Sequence, residues 1–126
     1  MKELTKEWIK KADNDLIICE RESLSTPPVY DAICFHAEQA VEKYLKAILQ
    51  EKEKAIPKTH DLEKIVDLCK EWLPHLEDFV KDMIWLTSFA VEIRYPGIEA
   101  QKEEAFKAFE IAKQVEKVVK EFFKNV

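Results

Sequence analysis

This sequence predicts an all-α fold, an up-and-down antiparallel bundle of four to five helices. Three observations carry the prediction. The 126 residues include one glycine and 5 prolines, too few turn formers for a strand-rich chain. Apolar residues recur at helical spacing through five stretches. The connections between those stretches are short, which sets consecutive helices antiparallel.

The first helix is expected over about Lys2 to Glu22, with Trp8, Ala12, Leu16 and Cys19 on one face and Asp15 at its edge. Prolines in "SLSTPP" end it, because they remove donors and restrict their predecessors. The second runs from about Val29 to Glu51, with Ala37, Val41, Tyr44, Leu45 and Ile48 as its apolar arc. Thr59 is the expected cap of the third, with Asp61 and Glu63 in the first turn near the positive end of the dipole. That helix carries Leu62, Ile65, Val66, Cys69, Trp72 and Leu73 and stops before Pro74. The fourth is expected from about His75 to Arg94, ending because Tyr95 precedes Pro96. In this reading His75 is a surface residue. The fifth covers about Glu99 to Lys124, with Ala105, Ala108, Phe109, Ala112, Val115, Val119 and Phe122 in one stripe.

A chain of this length forms one domain, residues 1–126, and buries roughly two-thirds of its unfolded surface. Its 47% hydrophobic and 36% charged content is that of a soluble globule. No apolar run approaches the roughly 18 residues of a membrane span. The charged, amphipathic start "MKELTKEWIKKADNDL" lacks the apolar core of a signal peptide, so the expected location is cytoplasmic. The net charge of −5 disfavours broad contact with a phosphate backbone, which needs clustered Lys and Arg. A local basic pocket is compatible with it, and nucleic acid stays open as a partner. Cys19, Cys34 and Cys69 lack CxxC spacing and fall in apolar helical settings, so they read as reduced core or interface residues.

The second helix carries the most information. At about 100° per residue, His36, Gln39 and Lys43 fall within an arc of roughly 60°, with Ala32, Ala40 and Ala47 on or beside it. One reading is a solvated face. The other is a polar network at a helix or subunit contact or lining a cleft, where unpaired groups cost about 1–3 kcal/mol each. Arg94, Tyr95 and His60 are the expected partners. His36 and His60 have acid–base capacity, and Arg94 or Lys43 can hold a phosphate. The histidines lack a close partner in ligand spacing, so no metal site and no cofactor is expected. One glycine cannot build a phosphate-cradling loop.

The stretches "WIKKADNDL" (8–16), "CFHAEQAVEKYLKAIL" (34–49), "KTHDLEKIVDLC" (58–69) and "IRYPG" (93–97) stand in an order and spacing that resembles the HEPN (higher eukaryotes and prokaryotes nucleotide-binding) domain. The resemblance covers essentially the whole chain. It implies a helical bundle, a homodimer, nucleotide binding, and work beside a minimal nucleotidyltransferase in a toxin–antitoxin-like setting. Some members are metal-independent RNases with an Arg, four to six residues, then a His. Here the residues after Arg94 read "YPGIEAQ", and those after Arg21 reach Thr26, Pro27 and Pro28, with no histidine in either place. The polar positions carried over from the motifs are His36, Gln39, Glu42, Lys43, His60, Asp61, Arg94 and Tyr95. The expected function is a non-catalytic nucleotide- or phosphate-binding and interaction module. The alternatives are an RNase toxin using Arg94 with His36 or His60, and a purely structural dimer.

Overall fold

The computed structural model describes residues 1–125; Val126, the last residue of the expected domain, lies outside them. The helices are α1 (Glu3–Ser23), α2 (Tyr30–Glu51), α3 (Leu62–Cys69), α4 (Val80–Glu92) and α5 (Lys102–Lys124), and a 3-10 segment, Pro74–Phe79, leads into α4. There is no strand among the described residues, so the chain is an all-α helical bundle.

Helix α2 is the centre of the bundle. It packs against each of the other four helices. Its Ile33, Ala37, Val41, Tyr44, Leu45, Ile48 and Leu49 are fully buried and belong to one core with Leu16, Ile65, Met83, Leu86, Ala108 and Val115 from its neighbours. A helix so enclosed has few positions left for solvent, which is why its polar residues become structural.

Polar contacts pin α1 antiparallel to α2 along its length. Thr5 Oγ1 donates to Glu51 Oε1 at 2.9 Å, and Trp8 Nε1 to Gln50 Oε1 at 3.4 Å. Lys43 Nζ meets Asp15 Oδ2 at 2.7 Å in the middle, and Cys19 Sγ lies 3.4 Å from the Ile33 carbonyl oxygen at the far end. As the α1 number rises, the α2 number falls. A second knot joins three helices: the buried Tyr44 hydroxyl donates to Asp13 and sits 3.3 Å from Glu116 Oε2, while Lys120 Nζ bridges Asp13 and Glu116 at 3.0 and 2.8 Å. All three cysteines are buried and unpaired, and burial pushes their thiols up to about 12.

Several helix ends differ from expectation, each for a local reason. Asp61, not Thr59, caps α3: its Oδ1 accepts from the Glu63 N–H at 3.1 Å, while Thr59 Oγ1 accepts from Asp61 itself. Helix α3 stops at Cys69, and the amides of Trp72 and Leu73 return to the Cys69 carbonyl in a closing turn. His75 falls in the 3-10 segment begun by Pro74 rather than in an α-helix. Helix α4 ends at Glu92, and Arg94 and Tyr95 form i→i−3 bonds to Val91 and Glu92 at 3.2 Å each. Helix α5 starts at Lys102, not Glu99, because the Gln101 N–H is held by Glu104 Oε1 at 2.7 Å. The Ala100 N–H instead reaches Asp31 Oδ1 at 2.7 Å, tying the approach of α5 to the first turn of α2.

Between α4 and α5 the only glycine, Gly97, turns the chain with φ of +95°. A Cβ placed there meets no atom within 4 Å, so the demand comes from the backbone alone. Gly97→Ala should therefore lower stability by about 1 kcal/mol through backbone strain, measured by chemical denaturation, with unchanged helix content by circular dichroism.

Candidate polar site on the central helix

The α2 stripe resolves into two networks and one aromatic corner. In the first network the buried Asp15 of α1 uses both carboxylate oxygens. Oδ1 faces His36 Nδ1 at 2.8 Å and Oδ2 faces Lys43 Nζ at 2.7 Å. An ionised carboxylate only accepts, so Nδ1 carries the proton and Nε2 of a neutral His36 is left with its lone pair. This geometry orients an imidazole for proton transfer or for an anion, depending on its charge. The side chains of His36 and Lys43 each keep about a quarter of their surface open to solvent.

The second network lies toward the start of α3. Glu42 Oε2 accepts from Lys46 Nζ at 3.0 Å, an (i, i+4) pair on α2, and Oε1 faces His60 Nδ1 at 2.7 Å. Asp61, next to His60, is occupied as the α3 cap. Beside Glu42, Gln39 Nε2 donates to Glu38 Oε2 at 2.9 Å. Glu38 is 2% exposed, and its Oε1 is buried without a partner among the described residues.

The corner is built by Arg94, Phe35 and His36. The guanidinium carbon of Arg94 sits 5.7 Å from the Phe35 ring centroid, and the Phe35 and His36 rings meet edge to face with centroids 5.2 Å apart. Arg94 enters none of the ion pairs of the described residues. A guanidinium held over a ring keeps its fork of donors for an incoming oxyanion.

The structure thus gathers His36, Gln39, Lys43 and Glu42 along α2, brings His60 to Glu42, and brings Arg94 to Phe35. It does not bring the histidines to a common point: His36 answers to Asp15 and His60 to Glu42. Tyr95 was expected to complete the stripe, yet it is 64% exposed and forms no side-chain hydrogen bond among the described residues. It follows the last turn of α4 and stays at the surface, while the neighbouring Arg94 reaches the Phe35 ring. No group of three or more His, Cys, Asp or Glu among the described residues could hold a metal ion.

Sequence reasoning missed Asp15 as a partner, along with Glu38, Lys46 and Phe35. Two of these carried a signal. Lys46 stands four residues after Glu42, the spacing of a helical ion pair. Glu38 stands seven residues before Leu45, on the apolar arc itself, where a carboxylate is buried.

Burial raises the Glu38 carboxyl above its usual 4.5, and the nearby Glu42 raises it further, while the Gln39 hydrogen bond, His60 and Arg94 pull it down. A raised folded value means stability is full below pH 4.5, the unfolded value, and falls as pH rises through the folded one. Glu38→Gln should remove this loss. It is expected to stabilise the protein at pH 7 by about 1 kcal/mol and to leave stability at pH 4 nearly unchanged. Equal shifts at both values would show that the buried charge is not responsible.

Neither a curated protein nor a solved structure matches the chain. The model of the HEPN domain, a family of nucleotide-binding or RNase-type modules, matches residues 5–122 and thereby takes in most of α1, all of α2, the His60–Asp61 segment, the Arg94 corner and most of α5. With the match spanning nearly the entire bundle and every residue of both polar networks, this chain belongs to the HEPN domain family.

Proposed function

We propose that the chain is a non-catalytic nucleotide- or phosphate-binding and interaction module. It forms a homodimer and acts in the cytoplasm beside a minimal nucleotidyltransferase, in a toxin–antitoxin-like arrangement. The observation that carries the reading is the Arg94 corner: an unpaired guanidinium over a ring that is 38% exposed, next to an oriented imidazole. Guanidinium and imidazolium suit phosphate oxygens, and the Phe35 ring suits a base. Support for an interface comes from the outer face of α4. Ile84, Ser88 and Val91 recur at helical spacing and continue to Tyr95, all exposed. Ile84, Val91 and Tyr95 place apolar surface around the polar Ser88, and exposed apolar surface on one face supports a contact there.

The absence of a histidine four to six residues after Arg94 supports binding over cleavage. One observation favours the RNase alternative: Asp15 holds His36 as an acid–base residue would be held, within one ring of Arg94.

The expected results are a sedimenting species of twice the monomer mass, a saturable ATP or AMP titration by calorimetry, and about tenfold weaker binding in Arg94→Ala. Single-stranded RNA incubated without metal should stay intact. Cleavage that vanishes in both Arg94→Ala and His36→Ala would replace the binding reading with the enzymatic one. A dimer with no nucleotide heat would leave a structural dimer. Co-elution with a nucleotidyltransferase encoded next to it tests the partner.

A further inference from the structure

The end of α2 is turned by a residue that seldom makes that turn. Lys52 closes the helix, and Glu53 follows with φ of +57°. The Lys54 N–H reaches the Leu49 carbonyl at 2.9 Å and the Glu53 N–H reaches Gln50 at 3.2 Å. This is the helix-ending pattern in which glycine usually takes the left-handed position. A glutamate there is strained, and strain of this kind gathers where side chains must be aimed. The residues on either side of it share one aromatic partner. Lys52 Nζ and Lys54 Nζ each lie 5.9 Å from the Trp72 ring centroid, and Lys52 Nζ is also 5.4 Å from that of Phe122. Neither ammonium enters an ion pair among the described residues.

Below these lysines lies a cleft of about 530 Å³ between the end of α2, the segment after α3 and the last turns of α5. Trp72 and Phe122 form its walls, and Leu73 and Val118 add apolar surface. Both rings pack against the core, so the walls are held in place. The volume falls in the range of small-molecule sites, about 300–1,000 Å³. It lies about 25 Å along α2 from the Arg94 corner, counting 17 residues from Phe35 to Lys52, so the two are separate places.

We infer that this cleft binds a small aromatic monocarboxylate, its ring against Trp72 and Phe122 and its carboxylate between Lys52 and Lys54. The rings account for the body of the ligand. The unpaired ammonium of Lys52, which lines the cleft, and that of Lys54 beside the Trp72 wall account for the anion. Glu121 is the one carboxylate among the described lining residues, and it sets the charge limit. It is compatible with a single carboxylate paired to two lysines and repels the multiple charges of a nucleotide di- or triphosphate.

Indole-3-acetate is a suitable probe. Titrated into the intact protein and followed by amide NMR shifts, it should saturate and move resonances around Lys52, Trp72 and Phe122. Lys52→Gln combined with Lys54→Gln removes both charges and leaves the backbone turn and the apolar walls in place. That variant should keep its circular dichroism and bind about tenfold more weakly, and neutral indole-3-ethanol should be weakened similarly on the native chain. The inference is overturned by an absence of saturation up to about 5 mM, by undiminished binding in the double variant, or by AMP moving the same resonances more strongly. None of these outcomes bears on nucleotide binding at Arg94.

Discussion

A central helix enclosed by four others while carrying charge is the constraint on which the rest of the structure depends. Helix α2 buries Glu38, Glu42 and Lys46 along with its apolar residues, and it buries the Tyr44 ring completely. Each polar group inside costs free energy unless a neighbour answers it. The answers come from three directions. Asp15 and Asp13 reach in from α1, Glu116 and Lys120 from α5, and His60 from the segment before α3. The apolar core supplies most of the driving force, and these pairs set how the helices are turned and slid against one another. Asp15 is the clearest case. A helix that rotated or slipped by one residue would leave His36 and Lys43 facing no carboxylate.

Two groups on this face are left unanswered, and they lie close together. Among the described residues Glu38 Oε1 is buried without a partner, and Arg94 is near enough to lower the Glu38 carboxyl while forming no ion pair itself. No other buried side-chain polar atom among the described residues lacks a partner. This incomplete pairing is the observation on which the binding proposal rests. The chemistry of the corner is anion-receiving at Arg94 and His36 and flat at Phe35. Under the proposed reading this chemistry takes a nucleotide or phosphate, and the sequence holds no histidine four to six residues after Arg94.

The helices were legible in the sequence because helical periodicity is a property of each segment alone. The α5 stripe from Ala105 to Val119 was read as it folds. Ends were less legible, since they depend on competing side chains at adjacent positions: Asp61 displaced Thr59 as a cap, and Asp31, from a distant helix, took the Ala100 amide and delayed α5. Within the site, the spacing of His36, Gln39 and Lys43 put them on one stripe. What they touch was not legible, because their partners come from elsewhere in the chain. Asp15 is 21 and 28 residues from His36 and Lys43. No local rule joins such a pair. Tyr95 shows the converse: it directly follows Arg94, yet it stays exposed while Arg94 reaches the Phe35 ring.

The claim that this bundle is registered by its polar pairs rests most heavily on Asp15. A double-mutant cycle with Asp15→Ala and Lys43→Ala, read by urea denaturation at pH 7, isolates that pair from the core around it. The two side chains should be coupled by about 1–2 kcal/mol, with Asp15→Ala alone the larger of the single losses because it also strips His36 of its partner. Losses that simply add, to within about 0.3 kcal/mol, would contradict the account and return α1 and α2 to apolar packing as their only tie.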